Sequence, residues 1–152
     1  MTMPRRVCPS SNEKVALFGL LLETNTRLSK DLSSALEETC ELPLAWFEVL
    51  MQLREAPEGR LKMNQMAEAI FHSSGGTTRL IDRLEGAAYV RREHCSSDRR
   101  AIYVAITDAG NDKLDEALSV HLSYLEDHVT ARLSDAERLS LTALLTKLNV
   151  SP

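Results

Sequence analysis

The sequence predicts a mainly helical fold with one small β-hairpin. Three observations carry that reading. Apolar residues recur at three- and four-residue spacing along most of the chain, and Pro and Gly are confined to a few breaks. Residues 89–106 differ: two short runs of strand character flank a polar, charged tip. The chain has 152 residues, of which 43% are hydrophobic and 26% charged, the make-up of one domain with a real core.

The elements follow in order. Ser10, Ser11 or Asn12 can cap a helix that runs from Glu13 to Thr39 without Pro, with Leu17, Leu21, Leu28, Leu32 and Leu36 at helical spacing. A helix of about 25 residues is roughly 38 Å long, more than a domain of this size needs, so part of it is expected to pack outside its own globule. Pro43 opens a second helix with Trp46, Val49, Leu50 and Leu53 on one stripe, and Pro57-Glu58-Gly59 ends it. Arg60 to Met63 is extended in character. Asn64 can cap a brief helix carrying Met66, Ala67 and Ile70. After a break at Phe71-His72-Ser73-Ser74, a further helix runs to about Gly86, with Thr77, Leu80, Ile81, Leu84 and Ala88 inward. Two short helices joined by a tight turn suggest a helix-turn-helix. Tyr89–His94, the tip Cys95–Arg100 and Ala101–Ile106 form the hairpin, with Ile102, Val104 and Ile106 on one face. A hairpin in that place is a wing. Thr107 can cap a helix with Leu114, Leu118, His121, Leu122 and Leu125 on one stripe. Ser134-Asp135-Ala136-Glu137 is a capping box that opens a last helix with Leu141, Leu144, Leu145 and Leu148.

Charge is segregated. Residues 60–106 hold eight basic and five acidic side chains, between two acidic flanks, while the whole chain carries -4. A polyanion site belongs in that middle third. The three cysteines, odd in number and irregularly spaced, argue against a disulfide framework and for a reducing compartment, so a cytoplasmic protein is expected. No apolar run reaches the roughly 18 residues of a membrane span, and Met1–Arg6 lacks the apolar stretch of a signal peptide.

Four segments together closely resemble the MarR family of transcriptional regulators. They are Ser73–Glu85, Tyr89–Arg92, the tip Ser97-Asp98-Arg99-Arg100 and the exit Ile106-Thr107-Asp108-Ala109-Gly110. The Asp-x-Arg tip and the Leu/Ile-Thr-x-x-Gly exit occur jointly and at the family's spacing. The resemblance implies a winged helix-turn-helix protein of dimeric MarR-like architecture and a single domain over residues 1–152. Within it, 13–39 and 108–148 would be dimerisation helices and 43–106 a DNA-binding lobe. It implies a homodimeric regulator, expected to act as a repressor, on a double-stranded operator of inverted-repeat form.

The reading surface can be argued from the residues. A recognition helix presents the outward side of its N-terminal half to base edges in the major groove. The outward set is Ser74, Gly75, Gly76, Thr78, Arg79, Asp82 and Arg83, with Ser73 before it and Thr77 borderline at the entry turn. Arg79 can be bidentate to a guanine; the alternative is a solvated pair with Asp82 at i,i+3. Arg99 and Arg100 on the wing suit a narrow minor groove. Asp98 is expected to pair with Arg100 and fix the tip. Arg91 and Arg92 alternate on the strand, so one of them is expected to face phosphate.

Other constellations are weaker. His72, His94, His121 and His128 show no metal-ligand spacing, so no metal and no cofactor is expected, and His121 reads as a core histidine. There is no P-loop, nucleophile elbow or other catalytic set, so the chain does not read as an enzyme. Cys8, Cys40 (read as lying in a loop) and Cys95 beside the wing leave a redox-responsive regulator as one alternative. A winged helix used only for protein–protein contact is another. The resemblance implies an effector pocket between the long helices and the lobe. Trp46 with Met63, Met66 and Phe71 would line an apolar cavity there for a small aromatic compound, or Trp46 simply fills core.

Overall fold

The computed structural model describes residues 12–70, 76–98 and 100–150. Helix α1 (Glu13–Cys40) has 28 residues, a length of about 42 Å. Asn12 starts it, its side-chain oxygen accepting from the Lys14 N–H at 3.0 Å. Glu41 ends it at φ 51°, turning its N–H back to the Glu37 and Leu36 carbonyls. Only the far end of α1 joins the core, through Leu36 and Cys40. Val15, Leu17, Phe18, Leu20 and Leu22 are exposed. Cys40 is therefore the last residue of a helix and not a loop residue; its thiol donates to the Leu36 carbonyl at 3.1 Å, an in-helix bond that suits a buried position.

Helix α2 (Leu44–Glu55) is the centre of the core. Val49, Leu50 and Leu53 are fully buried and Phe47 nearly so, while Trp46 packs half-buried at the margin. The turn Pro57–Gly59 leads to strand β1 (Arg60–Lys62) and helix α3 (Met63–Ala69). Helix α3 starts earlier than its Asn64 suggests. The Gln65 side chain accepts from the Lys62 N–H at 3.0 Å, so Lys62 is the cap and Asn64 lies inside the first turn. Met66 and Ile70 are buried, and Ala67, about 100° further round the helix than Met66, is exposed.

Helix α4 (Thr77–Gly86) buries Thr77, Ile81 and Leu84, with Leu80 half-buried. Ala88 is not inward. It is exposed, at φ 62°, in the turn that reverses the chain after α4. Strands β2 (Val90–His94) and β3 (Ile102–Ile106) form the wing, and β1 pairs with the other edge of β3. The sheet is antiparallel in the order β1-β3-β2, with Leu61 and Arg92 both opposite Val104. The central strand β3 is thereby covered, and Val104 and Ala105 are both buried.

Helix α5 (Asp108–His128) is capped by Thr107, whose hydroxyl accepts from the Gly110 N–H at 3.0 Å. Its buried positions are Gly110, Leu114, Ala117 and Tyr124, a stripe rotated from the expected one, so Leu122 is exposed. The Tyr124 hydroxyl donates to the Leu28 carbonyl at 3.0 Å and ties α5 to α1. Helix α6 (Asp135–Asn149) begins with the expected capping box of Ser134 and Glu137 and buries none of its residues. Among the described residues no helix is long and apolar enough to cross a membrane.

The entry to α5 is welded to the turn after α4. The Tyr89 carbonyl accepts from the Thr107 N–H at 3.1 Å, and the Thr107 hydroxyl donates to the Ala88 carbonyl at 2.6 Å. Gly110 sits against the same carbonyl: a Cβ there would lie 2.1 Å from the Tyr89 oxygen and 2.9 Å from Ile106 Cγ1. Backbone must move to admit it. Gly110→Ala is expected to destabilise the fold by about 3 kcal/mol or more in urea unfolding, and a loss below about 1 kcal/mol contradicts the close packing.

Candidate nucleic-acid interface

Helix α4 owes its two faces to its sequence. Apolar side chains at 80, 81 and 84 turn one side to the core, which leaves Thr78, Arg79, Asp82 and Arg83 exposed on the other. Gly76, just before it, is exposed as well. Thr77 departs from the expected contact set. It is only 8% exposed, because the first turn of α4 carries it into the lobe, so it offers no side chain to a groove. Phe71, His72, Ser73, Ser74, Gly75, Arg99 and Cys8 lie outside the described residues.

The acidic residues of α4 are not held as the helix rule suggests. Asp82 pairs not with Arg79 but with Arg92 of β2, at 2.6 Å. Glu85 meets the same guanidinium at 2.6 Å and also accepts from the Arg92 N–H at 3.0 Å. The local i,i+3 pair loses to a tertiary one because a guanidinium offers several donors to two carboxylates at once. Arg91 points to the other side of the strand, where its Nε donates to Glu93 at 2.8 Å while the side chain stays largely exposed. Of the two strand arginines, Arg92 is the internally engaged one.

The wing tip is held by Asp98, but not through the Arg100 guanidinium. Asp98 Oδ1 accepts from the Arg100 backbone N–H at 3.0 Å, and its own carbonyl accepts from the Ala101 N–H at 3.0 Å. A short carboxylate closes a turn on its own backbone more readily than it reaches a long side chain. The exposed Arg100 is thereby left for other contacts. On the opposite edge, Arg60 bonds Glu58 and reaches Glu93 at 3.3 Å, and Arg60 and Lys62 both lie over the Tyr103 ring. Lys62, Met63, Asn64, Asp98 and Arg100 line a cleft of about 390 Å³ between the start of α3 and the wing. The basic edge at Arg60 and Lys62 was not anticipated from sequence; the pairing of β1 with β3 creates it.

The residues expected around an effector are placed apart in character. Met66 is fully buried in the core. Met63 borders the wing cleft. Trp46 packs edge-on against Tyr89, ring centres 6.1 Å apart. A larger apolar groove of about 570 Å³ lies elsewhere, between the exposed end of α1 and α6, lined by Leu17, Leu20, Leu21, Leu28, Leu141 and Leu145 among others. His121 packs on Phe47 with ring centres 5.1 Å apart, and burial lowers its pKa. Its buried Nδ1 has no hydrogen-bond partner among the described residues, so it is a core histidine but not a fully satisfied one.

The two described cysteines differ chemically. Cys95, at the base of the wing tip, lies 3.1 Å from the Ser97 hydroxyl, and hydrogen bonds from Ser97 and from the tip backbone lower its pKa. Burial, then the nearby Glu116 charge, raise that of Cys40. The thiolate is the reactive form. Peptide mapping after brief maleimide treatment near neutral pH is expected to find Cys95 labelled well before Cys40, and the Cys95 rate to rise with pH through a midpoint below the ordinary thiol value. Equal labelling of the two contradicts this geometry.

Comparison with known proteins places the chain. Residues 41–101, from the end of α1 to the wing tip, match the MarR family. An HTH-type transcriptional regulator of Bacillus cereus is 28% identical over 134 residues, covering 88% of each chain. The HTH-type transcriptional repressor MdtR of Bacillus subtilis is 29% identical over 124 residues, covering 72% of this chain and 78% of its own. Sco3205, a MarR family transcriptional regulator from Streptomyces coelicolor solved in complex with DNA, superimposes with a TM-score of 0.80 at 26% identity over 90% of each chain. The wing motifs, the helix order and the three-stranded sheet agree with these comparisons: residues 41–101 match the MarR family, and the chain as a whole is similar in fold to its winged helix-turn-helix transcriptional regulators.

Proposed function

We propose that this protein is a repressor that binds an inverted-repeat DNA operator as a homodimer, with its affinity set by a small aromatic effector. One observation carries the reading: Thr78, Arg79 and Arg83 stand exposed along one side of α4, beside a wing whose tip leaves Arg100 exposed. Helix α4 enters the major groove and Arg79 reads a base edge. The wing tip, held by Asp98 and bearing Arg99 and Arg100, enters the adjacent minor groove. Gly76, with Ser73, Ser74 and Gly75 before it, belongs to the same contact surface, where small residues let the DNA backbone approach. The complex of Sco3205 with DNA supports the nucleic-acid partner, and the repressor relative MdtR supports the sign of the control.

Residues 43–106 serve as the reading lobe, and 13–39 with 108–148 as the dimerisation part. The exposed leucines of α1 and α6 support a second copy of the chain as their cover. Leu17, Leu20, Leu144 and Leu148 are each about 60% exposed or more, a surface that water disfavours strongly when contiguous. The effector belongs at the junction marked by Trp46, whose half-buried ring touches Tyr89. Tyr89 also anchors α5, so a ligand wedged there changes how the lobe is carried. It weakens DNA binding by its differential affinity for the two lobe positions and by no more than that.

The test is selection of duplexes by the protein from a random pool. The selected sites are expected to be inverted repeats with half-sites about 10 bp apart, bound with an affinity that falls steeply with salt. Arg79→Ala is expected to relax preference at particular positions, by about 1–3 kcal/mol there. Arg100→Ala is expected to weaken all sequences, with loss of A·T preference at the flanks. A single unpaired half-site, or both variants binding every site like the parent, contradicts the assignment.

A further inference from the structure

We propose that Arg92 is a positioning residue that sets the angle between the wing and the reading helix. The inference rests on the DNA reading proposed above and adds a residue to it that touches no base. The Arg92 side chain is 24% exposed and lies along α4. It donates to Asp82 and to Glu85 at 2.6 Å each and approaches the Thr78 carbonyl at 3.5 Å. Positions 78, 82 and 85 form one stripe of the helix, so a single guanidinium spans two of its turns. The Arg92 N–H bonds Glu85 as well, which fastens the strand backbone and not only the side chain.

The leverage of this contact is large. β2 runs extended from Arg92 to His94 and the chain then bends at Ser96 and Ser97, so the lever from Arg92 to the tip at Asp98 is on the order of 12 Å. A tilt of 10° at the strand root therefore moves the tip by about 2 Å, enough to break a hydrogen bond to a groove. Besides the core beneath, the covalent link between α4 and β2 is the short turn 87–89, and Arg92 is the strut across its open side. The same contact takes Asp82 out of base reading. An exposed carboxylate on the groove side of α4 can accept from cytosine, but here it is engaged by the guanidinium.

Charge and geometry make opposite demands on one pair of substitutions. If Asp82 and Glu85 mattered only as charges near phosphate, neutralising both would tighten DNA binding. If they anchor the strut, neutralising both loosens the wing and weakens binding. The experiment uses the full chain and a duplex that the wild-type protein selects from a random pool. Hydroxyl-radical cleavage reads the minor-groove flanks, and guanine N7 methylation reads the major groove. Arg92→Gln and the double variant Asp82→Asn/Glu85→Gln are each expected to bind at least about tenfold more weakly. At saturating protein each is expected to lose protection of the flanks while keeping that of the major-groove guanines. Flank protection retained in both, or tighter binding by the double variant, overturns the strut. Should Arg92→Gln fail to fold, the double variant decides, since both carboxylates are at the surface. A wild-type chain that selects no duplex overturns the DNA reading itself and the strut with it, an outcome distinct from normal selection with unaffected variants.

Discussion

The carbonyl of Tyr89 is the contact on which the arrangement of the molecule depends. The Thr107 N–H bonds it, Gly110 packs against it too closely for any side chain, and the Thr107 hydroxyl bonds the carbonyl one residue before it. Three elements meet there: the turn that ends α4, the strand that begins the wing, and the start of α5. The Ile-Thr-x-x-Gly exit from the wing therefore has a physical meaning. Thr supplies a helix cap and a second bond to the turn, and Gly gives the clearance for backbone to touch backbone. Arg54 adds to the joint from α2, bonding the Asn111 side chain at 3.0 Å, its carbonyl at 2.6 Å and Asp115 at 2.5 Å. The turn after α4 and the base of α5 are thus bonded directly to one another.

That joint gives the apolar ends of the chain their consequence. Helix α6 buries nothing, and the first ten residues of α1 leave a row of leucines and a phenylalanine in solvent. A chain that spends so many leucines on two exposed helices is built to close them against another surface. Because α5 is tied to α1 through Tyr124 and to the lobe through Tyr89, whatever covers the apolar helices also sets where α4 points. On the proposed reading, one contact surface holds two reading helices in register.

Much of this was legible in the sequence where the signal was local. Thr107 and the Ser134–Glu137 box cap their helices as their spacing predicts, and Asn12, one of three candidates, caps the first, since a cap involves only neighbouring residues. Val49, Leu50 and Leu53 of α2 and Thr77, Ile81 and Leu84 of α4 are buried as helical periodicity predicts, whereas Phe47 is buried more deeply than Trp46 and Ala88 falls in the exposed turn. What escaped was set by tertiary partners. The short strand at Arg60–Lys62 is expected from sequence, but its pairing is not, because its partner β3 lies more than forty residues on. Asp82 has a plausible helical partner in Arg79, yet Arg92 holds it across the turn, because only the folded sheet brings that strand alongside α4. Asp98 holds the tip as the motif suggests, but through the backbone N–H of Arg100 and not its guanidinium, because the backbone is nearer. The stripe of α5 was rotated by the burial of Ala117 and Tyr124, a small and an amphipathic residue that a search for leucines passes over.

The central claim is that the apolar helices hold two reading helices one turn of DNA apart. Its most direct test is a distance between protomers. A nitroxide label is placed at Arg83→Cys, on the exposed side of α4, with Cys8 and Cys95 changed to Ser, and dipolar coupling is measured on the selected duplex. The account predicts one dominant distance between the two labels, near the 34 Å of a helical turn plus the reach of the label. Absence of coupling between protomers, or a distribution with no maximum in that range, would contradict it.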